Sequence, residues 1–226
     1  MQVRPILFSA TMVNALRAWT KTQTRRVCKP AEVAGLSRVI GPFQCSEMGN
    51  GWFGDEEGEV QFLCPYGKPG DLLYVKESFW GCDLPGYGDQ PCVVYDDEWM
   101  GKEYRPAEDR PWARKFGRIP SIHMPRECSR LTLRITDVRV QRLRDLSEAD
   151  AVAEGTPCYV CGQHMDGRSE SDCHCFHQRA TAHDYGLLWE SINGPGSWEA
   201  NPWVWCVSFE VLQMNVDQVL KATACA

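Results

Sequence analysis

The densest set of reactive side chains in this sequence is Lys21-Thr22-Gln23-Thr24-Arg25-Arg26, which places an amine, two hydroxyls and two guanidinium groups within six residues. A threonine hydroxyl becomes a nucleophile only when a neighbouring group takes its proton. A lysine can do so only if burial or nearby positive charge lowers its pKa from ~10.4 toward neutrality. Arg25 and Arg26 can supply that charge, and they are equally suited to holding a phosphate or a planar nucleobase. Clusters of this composition at the start of a strand are usually solvated surface, so residue types alone do not establish catalysis. Parity adds a condition. In a regular strand positions 21 and 24 point to opposite faces, so Lys21 and Thr24 converge only if Lys21 lies in the turn before the strand.

A second concentration is Cys158-x-x-Cys161-x-x-His164 followed by Cys173-His174-Cys175-x-His177, four cysteines and three histidines within twenty residues. Two thiolate knuckles about a dozen residues apart suit one tetrahedral Zn²⁺ held by Cys158, Cys161, Cys173 and Cys175, with His164 or His177 able to replace one cysteine. The segment between the knuckles is polar and has little apolar material to hold a fold, a deficit that a structural metal offsets. The plainer alternative is a loop with free thiols. Four protein ligands leave no open position, which argues against a catalytic zinc.

The elements that must position these groups follow from periodicity and punctuation. Residues 4–8 read as a buried strand. Ser9 caps a helix of about three turns with Met12, Leu16 and Trp19 on one face. Residues 21–27 are extended, and residues 29–58, rich in Gly, Pro and acidic residues, form an irregular excursion. Strands are expected at 60–63, 71–79 and 92–95 within otherwise heterogeneous sequence. The long strand 129–143 changes its apolar phase near Thr136-Asp137, as a strand curving round a small barrel would. Ser147 opens a short helix to Glu154 with Gly155 as its stop, a second helix spans 180–192, and 203–211 is a strongly β-prone strand. Residues after Met214 are expected to fray.

Among the nine tryptophans, Trp189, Trp203 and Trp205 lie in periodic elements and read as core. Trp19, Trp80 and Trp198 flank element ends and are the candidates for stacking on a base. Lys76-Glu77 closes the 71–79 strand. Lys76 is a second candidate for substrate contact, a surface ion pair being the plainer reading. The loop 193–198 is expected at the rim of the pocket.

A net charge of -6 argues against wholesale electrostatic coating of nucleic acid, although the basic residues are clustered. Twelve cysteines with no apolar leader after Met1 lead to the expectation of reduced thiols or metal ligands in the cytoplasm. No stretch approaches the ~18 apolar residues of a membrane span.

Read in order, these segments resemble a known family. Ile6-Leu7-Phe8, the following helix and Lys21-Thr22-x-Thr24-x-Arg26 look like the opening of ASCH-domain proteins. Gly70-Asp71-Leu72-Leu73-Tyr74-Val75, Leu146-Ser147-Glu148 and the aromatic strand ending in Phe209-Glu210 are similar to later segments of the same family. The closest form is common in bacteriophages and prophages. The resemblance runs from about residue 4 to residue 212 and implies an α+β fold, a PUA-like small β-barrel with flanking short helices. It makes residues 1–213 a single domain with insertions near 28–58, 81–120 and 156–180, and 214–226 a tail. The position two before the lysine, usually glycine in the family, is Trp19 here.

One branch of the family hydrolyses N4-acetylcytidine to cytidine and acetate with a Lys, a Thr and a Glu. The resemblance carries these roles to Lys21, Thr24 and Glu154, and a substrate-contacting role to Arg26. The expected activity is therefore amide hydrolysis on a modified nucleoside. A non-catalytic RNA-binding module and a ribonuclease are the alternatives.

Overall fold

The computed structural model describes residues 1–45, 49–82, 92–95, 105–106, 117–156 and 181–224. They form a mixed α+β structure in which sheets dominate and helices are few and short. The strands are β1 (Val3–Leu7), β2 (Gln23–Val27), β3 (Ile40–Cys45), β4 (Gly49–Gly54), β5 (Gln61–Leu63), β6 (Leu72–Lys76), β7 (Phe79–Cys82), β8 (Cys92–Tyr95), β9 (Arg105–Pro106), β10 (Gly117–Ile119), β11 (Thr132–Arg142) and β12 (Trp203–Leu212). The helices are α1 (Ala10–Arg17), α2 (Pro30–Val33), α3 (Glu148–Ala153), α4 (Ala182–Asn193) and α5 (Val216–Ala224). No strand order closes on itself among the described residues, and no described helix is long and apolar enough to cross a membrane.

The chain divides into two compact units. The first comprises Met1–Gln2, Ala15–Asp71 and Arg134–Val211. In it β12 lies between β11 and β2, with β2 antiparallel to β12 from Val204 opposite Val27 to Ser208 opposite Gln23. Because opposed residues share a face, the two faces can be read from this register. Val204 and Cys206 pack with Leu143, Leu146, Ala151, Tyr185 and Trp189 beneath α3 and α4. On the other face the Trp205 ring meets Phe53 and Phe62 edge-on, at 5.0 and 5.6 Å between centroids. Those two phenylalanines come from the antiparallel sheet β3-β4-β5.

The strands β3 and β4 of that sheet lie within the segment read from sequence as an irregular excursion, while β5 is the strand expected at 60–63. The alternation of β3 and β4 is broken by glycines that bring strands into close approach. A Cβ on Gly54 would stand 2.0 Å from the Val60 carbonyl oxygen, and one on Gly41 2.6 Å from that of Trp52.

The second unit comprises Val3–Asn14, Leu72–Leu133 and Leu212–Ala226. In it β1 runs parallel to β6, and Val75 N–H bonds Leu131 C=O beside the start of β11. A four-stranded sheet, β10-β7-β8-β9, contributes Phe79, Tyr95 and Ile119 to a core with Met124 and Cys128. The segment expected to fray is α5. Its Val216 and Val219 are buried against Leu72. Asn215 and Gln218 cap its first turn, with Asp217 N–H donating to Asn215 Oδ1 at 2.9 Å.

Two further expectations are refined. The helix after Ser9 stops at Arg17, and it buries Val13, Ala15 and Leu16, not a Met12–Leu16–Trp19 stripe. In β11, Leu133 and Ile135 are buried, then Val138, with Thr136 and Asp137 both exposed. That is the phase change read from the sequence.

Candidate functional site

Lys21 sits where α1 has ended and β2 has not begun, in the turn that the parity condition requires. Its amide donates to Ala15 C=O at 3.2 Å, alongside Thr20 N–H at 3.0 Å. These bonds close the last turn of α1 around Trp19, which takes φ 61°. Glycine is preferred at this left-handed position after a helix. A side chain there costs about 1–2 kcal/mol.

The partner of Lys21 is the C-terminal end of α3. Ser147 and Asp150 form a capping box at the start of this helix, with Asp150 N–H donating to Ser147 Oγ at 3.1 Å and Ser147 N–H to Asp150 Oδ2 at 3.2 Å. At its end Glu154 is the cap residue and Gly155 turns left-handed at φ 67°. Glu154 then pairs with Lys21 in an isolated antiparallel bridge, and Thr22 N–H donates to Ala153 C=O at 2.8 Å. Gly155 is required by this approach. A Cβ there would lie 2.9 Å from Lys21 Cβ and 3.2 Å from Ala15 Cβ.

The result is a buried ionic network. Lys21 Nζ donates to the Glu154 carbonyl oxygen at 2.7 Å and to its carboxylate Oε2 at 2.8 Å. Arg25 Nη1 donates to the other carboxylate oxygen at 2.9 Å, and Arg25 Nη2 lies 3.1 Å from Asp150 Oδ2. Gln23 Nε2 donates to Asp150 Oδ1 at 3.1 Å, and Arg139 bridges Asp150 and Gln23 Oε1. Ser208 Oγ donates to Gln23 Oε1 at 3.2 Å. Lys21, Arg25 and Glu154 are 1%, 3% and 3% exposed. The guanidinium of Arg25 also lies 5.8 Å from the centre of the Tyr185 ring.

Burial shifts the balance of charge in this set. It lowers the Lys21 pKa, outweighing the Glu154 carboxylate, while Arg26 and Arg25 add to the depression. Burial also raises Tyr185 well above its usual range and pushes the Cys206 thiol up to about 12, so neither ionises near neutral pH.

The Asp150 carboxyl is held down to about 2. Partial burial raises it, and the Gln23 amide, the Ser147 N–H and the Arg25 guanidinium together outweigh that. A depressed folded pKa gives stability that is present above the unfolded value of 3.8 and is lost as pH falls through about 2. Asp150→Asn should therefore cost about 1 kcal/mol at neutral pH, and the gap from wild type should close as pH drops below about 4. Urea midpoints of both proteins against pH measure this. A gap constant down to pH ~2 would refute the assignment.

Of the residues singled out from sequence, the structure joins Lys21 and Glu154. Thr24 is buried opposite Val207, and alternation along β2 sends its side chain away from Gln23 and Arg25. Its hydroxyl bonds neither Lys21 nor Glu154. Arg26, half-buried opposite Trp205, shares the Thr24 face. Lys76 belongs to the second unit, where Nζ donates to Ile122 C=O at 2.6 Å. Its neighbour Glu77 is no surface ion pair. It is buried and held by Arg130 through two bonds of 2.8 Å, with the guanidinium 4.1 Å from the centre of the Tyr95 ring.

Trp198 packs on Gly186 and Tyr185 and is thereby part of the core beneath α4. Cys158, Cys161, Cys173 and Cys175, with His164 and His177, lie outside the described residues. Cys28, Cys64, Cys128 and Cys206 are buried and form no disulfide with one another. No group of three or more His, Cys, Asp and Glu side chains among the described residues is placed to hold a metal.

Sequence reasoning missed Asp150, Arg139 and Gln23, and it read Arg25 as a source of charge or a holder of phosphate or nucleobase, not as a partner of Glu154. A signal for them exists. Lys21, Gln23 and Arg25 share parity, and Asp150 and Glu154 stand four apart on one helical face. No protein-family model, curated protein or solved structure matches this chain.

Proposed function

We propose that this chain is an ASCH-type protein with a PUA-like barrel that acts on RNA or a modified nucleoside and hydrolyses the amide of an N4-acetylcytidine-type substrate. The observation that carries the reading is the Lys21–Glu154 contact. Two residues singled out 133 positions apart are bonded to each other, out of water, through the Lys21 amine. In this scheme the neutral Lys21 amine takes the proton of the attacking hydroxyl as that oxygen bonds to the acyl carbon. The carbon–nitrogen bond then breaks, and the Lys21 ammonium returns the proton to the leaving amine. Glu154 orients Lys21 and stabilises its protonated form. Arg25 donates to the second carboxylate oxygen and so fixes the orientation of Glu154. Thr24 enters as nucleophile on the resemblance alone, since its side chain leaves β2 on the other face. If it attacks, water hydrolyses the resulting ester. Arg26 is the proposed substrate contact.

A second reading, a non-catalytic RNA-binding module, is favoured by one observation. Lys21 and Glu154 are enclosed and already satisfy each other. Kinetics on N4-acetylcytidine separate the two. A hydrolase should lose at least ~100-fold in kcat with Lys21→Ala. Its rate should rise with pH to a plateau reached below the ordinary lysine value of 10.5. A similar loss with Thr24→Ala assigns attack to Thr24, whereas near wild-type turnover assigns it to water. Turnover unchanged by both substitutions would sink the mechanism, and absent turnover with tight RNA binding supports the module.

The proposal includes one structural Zn²⁺ on Cys158, Cys161, Cys173 and Cys175, resting on their spacing. Elemental analysis of protein purified without added zinc should find about one equivalent, and under about half an equivalent would contradict it.

A further inference from the structure

Among the described residues Trp19 is the tryptophan left in water, 57% exposed, while Trp189, Trp203 and Trp205 are each 9% exposed or less. It also holds φ 61°, the left-handed conformation in which glycine closes a helix without strain. The fold gains little from an indole here, since it buries less than half of the side chain and strains the backbone. Such an outlier points to a function that the fold itself does not need.

Its place in the chain indicates which function. Trp19 and Thr20 are exposed and Lys21 is 1% exposed, so the backbone passes from solvent to the buried amine within two residues. The Cα atoms of residues two apart are at most about 7 Å apart. A planar ring lying on the Trp19 indole would therefore stand beside the turn from which the Lys21 side chain enters the Glu154 network. Trp19 makes no ring contact with another described aromatic residue, so its face is not already occupied by one.

We infer that Trp19 is the stacking platform for the base of the nucleoside, orienting its exocyclic acyl-amino group toward Lys21. This rests on the proposed nucleoside chemistry but adds a specificity-determining residue that acts on the ring and not on the amide. Stacking on an aromatic face tolerates any base. Selectivity for the acyl group would then arise at Lys21 and Glu154, and affinity for the ring at Trp19.

The test uses the full chain with Trp19→Gly and Trp19→Phe, titrated with N4-acetylcytidine and with cytidine, which has the ring but no amide. Trp19→Gly should weaken binding of both nucleosides by the same factor, about fivefold or more, while raising Tm by about 2–4 °C as the strain is relieved. Trp19→Phe should retain most of the affinity and leave Tm unchanged. Opposite signs for stability and affinity are what a packing role cannot produce. Unchanged affinity in Trp19→Gly, a lowered Tm, or a wild type that binds neither nucleoside would overturn the inference. Binding that depends on Trp19 without turnover would refute the hydrolase reading alone.

Discussion

Replacing Glu154 by alanine is expected to destabilise the protein by about 3–5 kcal/mol, among the largest effects of any single substitution in the first unit. The carboxylate accepts from Lys21 through one oxygen and from Arg25 through the other, at 2.8 and 2.9 Å, and all three residues are almost fully enclosed. Its removal strands a guanidinium that Asp150 compensates only in part. It also leaves the lysine amine with the Glu154 backbone oxygen as its remaining acceptor from that residue. Lys21 can relieve its share by losing a proton, which its lowered pKa favours, whereas Arg25 cannot. The same reasoning sets the order of a series. Lys21→Met should cost less than Glu154→Ala, and Lys21→Met combined with Glu154→Leu should cost less than the sum of the single changes. Urea denaturation with constant m-values reads these differences. A loss below about 1 kcal/mol for Glu154→Ala would mean that the network is open to water and does not hold the fold.

The second large effect is steric. Gly155→Ala should cost about 3 kcal/mol, with roughly 1 kcal/mol from the left-handed φ of 67° and the rest from the collision of the new methyl group with Lys21 Cβ and Ala15 Cβ. Gly35→Ala is the control, because Gly35 has a similar φ of 76° with nothing within 4 Å of the added atom. Only the conformational part should appear there. Equal losses at the two positions would show that the approach of α3 to Lys21 is looser than described. The larger loss at Gly155 should come with a disturbed Lys21 environment, since relief of the contact must move the bridge between Lys21 and Glu154.

What the sequence revealed of this fold, and what it concealed, divides along local against non-local causes. The strands β1, β2 and β12 and the capped helices α3 and α4 were legible because alternation, a Ser or Thr cap and a terminal glycine act within a few residues. The β3-β4 hairpin was not, although its partner strand β5 was. Its glycines at 41 and 54 are there for close backbone approach, and they erase the alternation that marks a strand. Helix α5 was missed although Asn215 and Gln218 form a cap pattern and Val216 and Val219 share a buried face, because it is nine residues long in a polar, alanine-ended segment. The end of α1 was placed too late because Trp19 continues the apolar stripe by identity, while the backbone has already turned left-handed.

The site divides in the same way. Lys21 stood out by residue type, but Glu154 as its partner came from the ordered resemblance, and no periodicity could have paired residues 133 apart. Asp150 was legible as a helix cap and not as the hub that also gathers Gln23, Arg25 and Arg139. Thr24 shows the limit of carrying a role by position. Its type and spacing fit the family, yet the alternation of β2 turns it from the face where the charged network lies.

The most direct test of the central claim is the release of cytidine from N4-acetylcytidine, followed side by side for the wild type and Lys21→Met under one set of conditions. The expected result is turnover by the wild type that falls at least ~100-fold in the variant while nucleoside binding persists. No turnover by the wild type, or turnover that Lys21→Met leaves intact, would contradict it.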